Sequence, residues 1–93
     1  MSLTFKWDPN KASSNWKKHR VTFVDATTVF GDPLSSTIVD PDHGNNEERF
    51  ITVGLSKRGK TLVVAHAEND DEIRIISART ASKSEKKQYE AEQ

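Results

Sequence analysis

The chain contains no cysteine. Disulfides and thiolate metal sites are therefore closed to it, and a reducing cytoplasm is the compartment to expect. It also lacks an excess of either charge, with 14 Lys and Arg against 14 Asp and Glu. That balance argues against strong non-specific binding of polyanions but leaves room for a local basic cleft. No apolar run approaches the roughly 18 residues needed to span a bilayer, and the opening MSLTFKWD has no apolar core of signal-peptide length, so neither membrane association nor export is expected. HExxH, Walker-type, G-x-S-x-G and G-x-G-x-x-G motifs are all missing, which removes support for zinc peptidase, nucleotide and acyl-hydrolase readings. What remains is a chain of 93 residues. It is read as a single domain, residues 1–93, able to bury only roughly 60–65% of its unfolded surface.

The charge is unevenly spread. Lys6, Lys11, Lys17, Lys18 and Arg20 face only Asp8 in the first twenty residues, whereas residues 21–50 are acidic apart from Arg49. A basic footprint must come from the two ends of the chain meeting in space.

Local signals place the elements. Thr4–Trp7 alternates as a short strand. Asp8-Pro9 starts a helix over Pro9–His19, since Asp caps exposed N–H groups and Pro fits the first turn. The terminal Lys17-Lys18-His19-Arg20 complements the helix dipole, and a further role on phosphate stays open. Thr22 caps a second helix with Phe23, Ala26, Thr27 and Phe30 at helical spacing, stopped by Gly31. Ser35–Val39 and Glu47–Ser56 read as strands around the loop Asp40–Asn46. The basic turn Lys57–Lys60 leads to a hairpin, Leu62–Ala67 and Ile73–Ile76 about the acidic loop Asn69–Glu72. Ser82-Lys83-Ser84-Glu85 is a capping box opening a helix over Lys83–Glu92. The expectation is an α+β fold of order β-α-α-β-β-β-β-α, a small antiparallel sheet with two N-terminal helices and one C-terminal helix.

The hairpin is where polar chemistry is concentrated. His66 and Glu68 share a strand face with Leu62 and Val64. A three-residue loop would set Arg74 opposite His66, and a two-residue loop would swing it to the other side. Metal-free RNA cleavage needs a base for the 2′-hydroxyl, a proton donor for the departing 5′-oxygen and cations on the phosphate; His and Arg suit those tasks. The bland alternative is a surface ion pair between Glu68 and Arg74, worth at most about 1 kcal/mol. Asp40, Asp42 and His43 offer oxygen and nitrogen ligands, but without the spacing of a calcium loop. A metal-dependent hydrolase using His43, His66 and nearby acids is the remaining enzyme class.

Five blocks carry a resemblance. They are F-x-W-D-x-x-K-A-x-x-N-x-x-K-H at Phe5–His19, V-T-F at Val21–Phe23, A-x-x-V-F-x-D-P at Ala26–Pro33, E-x-R-F-x-x-x-G at Glu47–Gly54, and I-R-I-I-S-A-R at Ile73–Arg79. In this order they resemble the BrnT family of type II toxins. The resemblance implies a RelE-like α+β fold, RNA cleavage, translation inhibition and growth arrest, with no cofactor and no metal. It implies a BrnA-like ribbon-helix-helix antitoxin as partner, RNA as substrate, and DNA contacted only through the antitoxin. On this basis His66, Glu68, Arg74, Arg79 and Tyr89 are candidate catalytic residues, and Lys57, Arg58 and Ser77 candidate substrate contacts. Arg74 and Arg79 are expected to line one pocket, and a partner helix to lie between the first helix and the hairpin. Arg20 stands where similar sequences often carry Gly at a left-handed helix stop. The alternative function is a non-catalytic corepressor module.

Overall fold

A computed structural model describes residues 3–41 and 47–92; Asp42, His43 and the rest of that loop's tip lie outside them. The order is β1 (Thr4–Lys6), α1 (Pro9–His19), α2 (Phe23–Thr27) continued by a 3₁₀ turn (Thr28–Gly31), β2 (Ser36–Val39), β3 (Arg49–Leu55), β4 (Thr61–Asn69), β5 (Glu72–Thr80) and α3 (Lys83–Ala91). This is the expected α+β succession. The second helix tightens to 3₁₀ before Phe30, where α-helix was expected.

The helix starts follow their caps. The Asp8 side chain accepts from Asn10 N–H at 2.8 Å, and Thr22 accepts from Asp25 N–H at 3.0 Å. Ser82 and Glu85 form both bonds of the capping box. At the end of α1, Arg20 takes the left-handed conformation, φ 57°. Its N–H reaches Trp16 O at 2.8 Å, and its guanidinium lies 5.4 Å from the centre of the Trp16 ring. That cation–π contact offsets part of the cost a side chain meets in this conformation.

The sheet order is β1-β5-β4-β3-β2. Neighbours are antiparallel except β1, which runs parallel to β5 with Phe5 opposite Ile73. The sheet is therefore mixed, where an antiparallel one was expected. Two helices between β1 and the rest allow a parallel return that a tight turn cannot make.

One face carries the core. Val21, Phe23, Ala26 and Val29 pack on Leu62, Val64, Ile73, Ile75 and Ala78, with Phe5, Trp7, Ala12 and Phe30 around them. Gly54 lets the 3₁₀ turn approach: a β-carbon there would sit 3.0 Å from Ser35 Cβ and 3.2 Å from Val29 Cβ. The edge of β5 beyond β1 is covered by Asn15, which is buried. Its amide donates to Ala78 O at 2.9 Å and accepts from Ala78 N–H at 3.0 Å, as a neighbouring strand would, and also donates to Val21 O at 3.0 Å. Among the described residues no helix is long and apolar enough to cross a membrane.

Candidate functional site

Register decides which polar side chains meet. Asn69 pairs with Glu72, leaving the two-residue loop Asp70-Asp71 with Asp70 at φ 54°. Of the two registers open in the sequence, this one puts Arg74 on the face away from His66. Beyond it the pairing skips Ile76: His66 lies opposite Ile75, and Ala65 opposite Ser77. This bulge reverses the alternation of β5. Ile73, Ile75 and Ala78 consequently share the core face, and Arg74, Ser77 and Arg79 share the other. Without it, Arg79 would follow Ile73 and Ile75 into the core.

On that open face Arg74 lies across from Ala67 and Arg79 across from Val63. The four intervening steps on β4 separate them by about 13 Å at about 3.3 Å per residue. They share a face but not a pocket. Arg79 lines a cleft of about 300 Å³ between the sheet (Ile38, Ile51, Val53, Val63) and α3, with Glu85 and Tyr89. Arg74 lines a hollow of about 310 Å³ at the hairpin end with Glu47 and Glu68. Ser77 lines a third, of about 210 Å³, against α1.

Both guanidiniums are held by carboxylates. Arg79 grips Glu85 bidentately, at 2.7 and 2.8 Å. The hydrogen bond from Arg79, helped by the Ser82 N–H, holds the Glu85 carboxyl down at about 2, and Glu85 in turn raises Arg79. Arg74 donates to Glu47, which also lies 3.5 Å from Arg49 Nε; the Arg74 bond is the main reason the Glu47 carboxyl is lowered. The sequence pattern revealed Glu85 only as half of a capping box. Its tie to Arg79 joins α3 to the sheet, which no local signal encodes.

Tyr89 is buried and donates its hydroxyl to Asp32. Asp32 also accepts from Leu55 N–H at 2.8 Å and Leu34 N–H at 2.9 Å. Burial raises the Asp32 carboxyl, but these three bonds outweigh it and the net shift is downward. The same contact pushes the Tyr89 phenol up to about 12. This residue docks α3 onto the end of the sheet.

His66 lies on the core face with no exposed surface. Its ring is 4.9 Å from that of Phe30 and 5.9 Å from that of Phe50. Nε2 is 2.8 Å from the Thr52 hydroxyl, which is 2.7 Å from that of Thr37. Nδ1 lies 3.3 Å from Glu68 Oε2, but off the direction a hydrogen bond needs, and has no hydrogen-bond partner. Burial pushes the imidazole down to about 4, so it is neutral at pH 7 and the contact is no ion pair. A ring sealed from water has no path to an RNA hydroxyl, and its surroundings are those of a core residue.

Lys57 and Arg58 sit exposed on the β3–β4 turn. Lys57 contributes its backbone N–H to Thr28 Oγ1 at 2.8 Å, and neither side chain has an ion-pair partner among the described residues. The space between α1 and the hairpin, expected to receive a partner helix, is a small hollow with a cationic rim. The large exposed apolar side chains of the sheet include Ile38 and Val39 on the edge strand β2. Among the described residues no group of three or more His, Asp or Glu could hold a metal ion.

A five-stranded mixed sheet, with the N-terminal helices on its core face and Arg74 and Arg79 on the other, defines a small α+β protein. The family model for the ribonuclease toxin BrnT of type II toxin-antitoxin systems matches residues 7–85, and the chain belongs to that family. The crystal structure of the Brucella abortus ribonuclease toxin BrnT superposes with a TM-score of 0.64 at 22% identity, covering 88% of this chain and 100% of that one. At that identity the likeness speaks for the fold. No curated protein sequence matches significantly.

Proposed function

We propose that this chain is the toxin of a type II pair acting as a metal-independent endoribonuclease in the cytoplasm, where it blocks translation and is neutralised by a ribbon-helix-helix antitoxin of the BrnA kind. Family membership over residues 7–85 carries the reading, and the open sheet face provides a place for it. In the cleft beneath α3, Arg79 is the phosphate-binding group. The 2′-oxygen attacks the adjacent phosphorus, the bond to the 5′-oxygen breaks, and a 2′,3′-cyclic phosphate remains. The 2′-proton passes to a base, and the 5′-oxygen takes up a proton as it leaves.

The ion pair suggests how binding and basicity are linked. A carboxyl held at about 2 is a poor base. When Arg79 turns from Glu85 to a phosphate oxygen, the carboxyl returns toward its ordinary value of 4.5 and becomes a better acceptor for the 2′-proton. Arg79 is thus the catalytic residue, Glu85 the candidate base, and Tyr89 a positioning residue that seats α3. Arg74 binds substrate at the far end of the face, with Glu68 beside it, and Lys57 and Arg58 contact the RNA backbone. His66 is assigned to the core. A protein partner finds its apolar match at β2, an edge strand with Ile38 59% and Val39 54% exposed, which is open to strand addition.

Purified chain incubated with RNA should cleave it in the presence of EDTA, and Arg79→Ala should abolish cleavage while remaining folded. Inactive, folded wild-type protein, or activity lost to EDTA and restored by a divalent ion, overturns the proposal. One observation favours a second reading, the non-catalytic corepressor: the Arg74 and Arg79 guanidiniums already have carboxylate partners. Unimpaired growth on induction of folded wild-type chain would select it.

A further inference from the structure

The acidic partners that occupy Arg74, Arg79 and Lys6 leave other cations free. Lys11, Lys18 and His19 have no ion pair or hydrogen bond through their side chains among the described residues. They line one hollow of about 210 Å³, with Ser14, Asn15, Ile76 and Ser77. The Asn15 amide is committed to Val21 and Ala78. The hydroxyls of Ser14 and Ser77 have no hydrogen-bond partner among the described residues.

Helix energetics explain only part of this cluster. Lys18 and His19 stand in the last turn of α1, where cations complement the dipole. Lys11 stands in the first turn, which contains no acidic residue. There a cation meets the positive end of the dipole and weakens the helix. Two turns apart on one face, Lys11 and Lys18 converge on the same hollow instead. The bulge at Ile76 brings Ser77 to its wall, two residues from Arg79 and three from Arg74, or about 7 and 10 Å along the strand.

Resting on the ribonuclease reading above, we propose that this hollow, between α1 and the stretch of β5 edge that lies between β1 and Asn15, binds a phosphodiester of the RNA strand next to the one that is cut. Lys11, Lys18 and His19 supply N–H donors and the serines hydroxyls, and Ile76 offers an apolar wall to the sugar or base. A groove that combines cations with apolar surface follows a single strand without reading its sequence. The unpaired cations gain counterion release on binding. The ion-paired arginines of the sheet must first give up their carboxylates.

The test is the affinity of a fluorescent single-stranded RNA, with 2′-deoxyribose at the cleavage site to prevent turnover, measured by anisotropy between 50 and 200 mM salt. For the doubly substituted Lys11→Ala/Lys18→Ala protein, affinity at low salt should fall roughly tenfold, and the slope of log K against log salt should flatten by about 0.7, the contribution of one phosphate contact on a single strand. Lys11→Arg/Lys18→Arg should restore both, and Lys86→Ala/Lys87→Ala on α3 should change the slope less. The substituted lysines are exposed, so folding should be retained, as circular dichroism can verify. Wild-type affinity and slope in the Lys11→Ala/Lys18→Ala protein overturn the hollow and leave ribonuclease activity standing if the wild type still cleaves. Wild type that binds through these lysines yet never cleaves overturns the ribonuclease and leaves the hollow. Wild type that binds no RNA overturns both.

Discussion

Replacing Asn15 by alanine should cost far more than its size suggests. The side chain makes three hydrogen bonds, to Val21 O, Ala78 O and Ala78 N–H, at 2.9–3.0 Å, at a site 6% exposed. Alanine leaves all three backbone groups without partners. Each buried orphan costs about 1–3 kcal/mol, giving about 3–9 kcal/mol if the site stays dry. Asn15 borders the α1 hollow, so water can reach part of the gap, and the low end, about 3 kcal/mol, is expected. For 93 residues at about 0.05–0.15 kcal/mol each, total stability is about 5–14 kcal/mol, so the loss is a large fraction of it. Asn15→Asp is sharper still. It keeps the acceptor for Ala78 N–H but turns a carboxylate toward two carbonyl oxygens, which raises the folded-state pKa of the new acid. A raised value gives stability that is present below the unfolded value of about 3.9 and lost as pH rises through the folded one. Asn15→Asp should therefore be closest to wild type at pH 3, where the protonated acid also donates to one carbonyl, and fall below Asn15→Ala at pH 7. Urea unfolding followed by Trp7 and Trp16 fluorescence measures both. A loss under about 1 kcal/mol for Asn15→Ala, or an Asn15→Asp protein as stable as wild type at pH 7, refutes the view that this amide stands in for a strand.

Other expectations concern the remaining polar contacts. Glu85→Gln should weaken the docking of α3, and because the Glu85 carboxyl is depressed to about 2, its contribution is present above pH 4.5 and fades as pH falls toward 2. Wild-type and Glu85→Gln urea midpoints should thus converge in that interval, and a constant gap from pH 5 to 2 would contradict the pairing. His66, lowered to about 4, stabilises the fold only while neutral: its contribution is intact above pH 6.5 and is lost as pH falls toward 4, by up to about 3 kcal/mol. The pH slope should shrink in His66→Gln, and an imidazole titrating near 6.5 by NMR would be incompatible with the sealed site. Tyr89→Phe removes one hydrogen bond to Asp32 and should cost about 1 kcal/mol, with faster amide exchange confined to α3; unchanged exchange there would mean that packing alone seats the helix.

Much of the architecture was legible from short-range chemistry. The left-handed stop at Arg20 was marked only by the resemblance, since an arginine disfavours that conformation. The caps at Asp8, Thr22 and Ser82 involve partners two or three residues away, so the residue types already state the energetics. The hairpin was legible for the same reason. Its register was not, because two- and three-residue readings of Asn69–Glu72 differ little in local energy yet send Arg74 to opposite faces. One trace of the bulge was present: adjacent Ile75 and Ile76 break the alternation that a regular strand would keep. His66 shows the same limit, since strand alternation gives its face correctly but not whether water reaches that face.

The sequence by itself determined where each helix begins, the succession of strands, and the pairing of β4 with β5 as a hairpin, because these rest on contacts between near neighbours. Only the tertiary structure decided that β1 returns parallel beside β5, that Asn15 completes the sheet edge, that Arg79 is held by Glu85, and that His66 is sealed in the core. The parallel return, the Asn15–Ala78 bonds and the packing around His66 join residues far apart in the chain, and the place of Arg79 depends on a strand parity that one extra residue, Ile76, reverses.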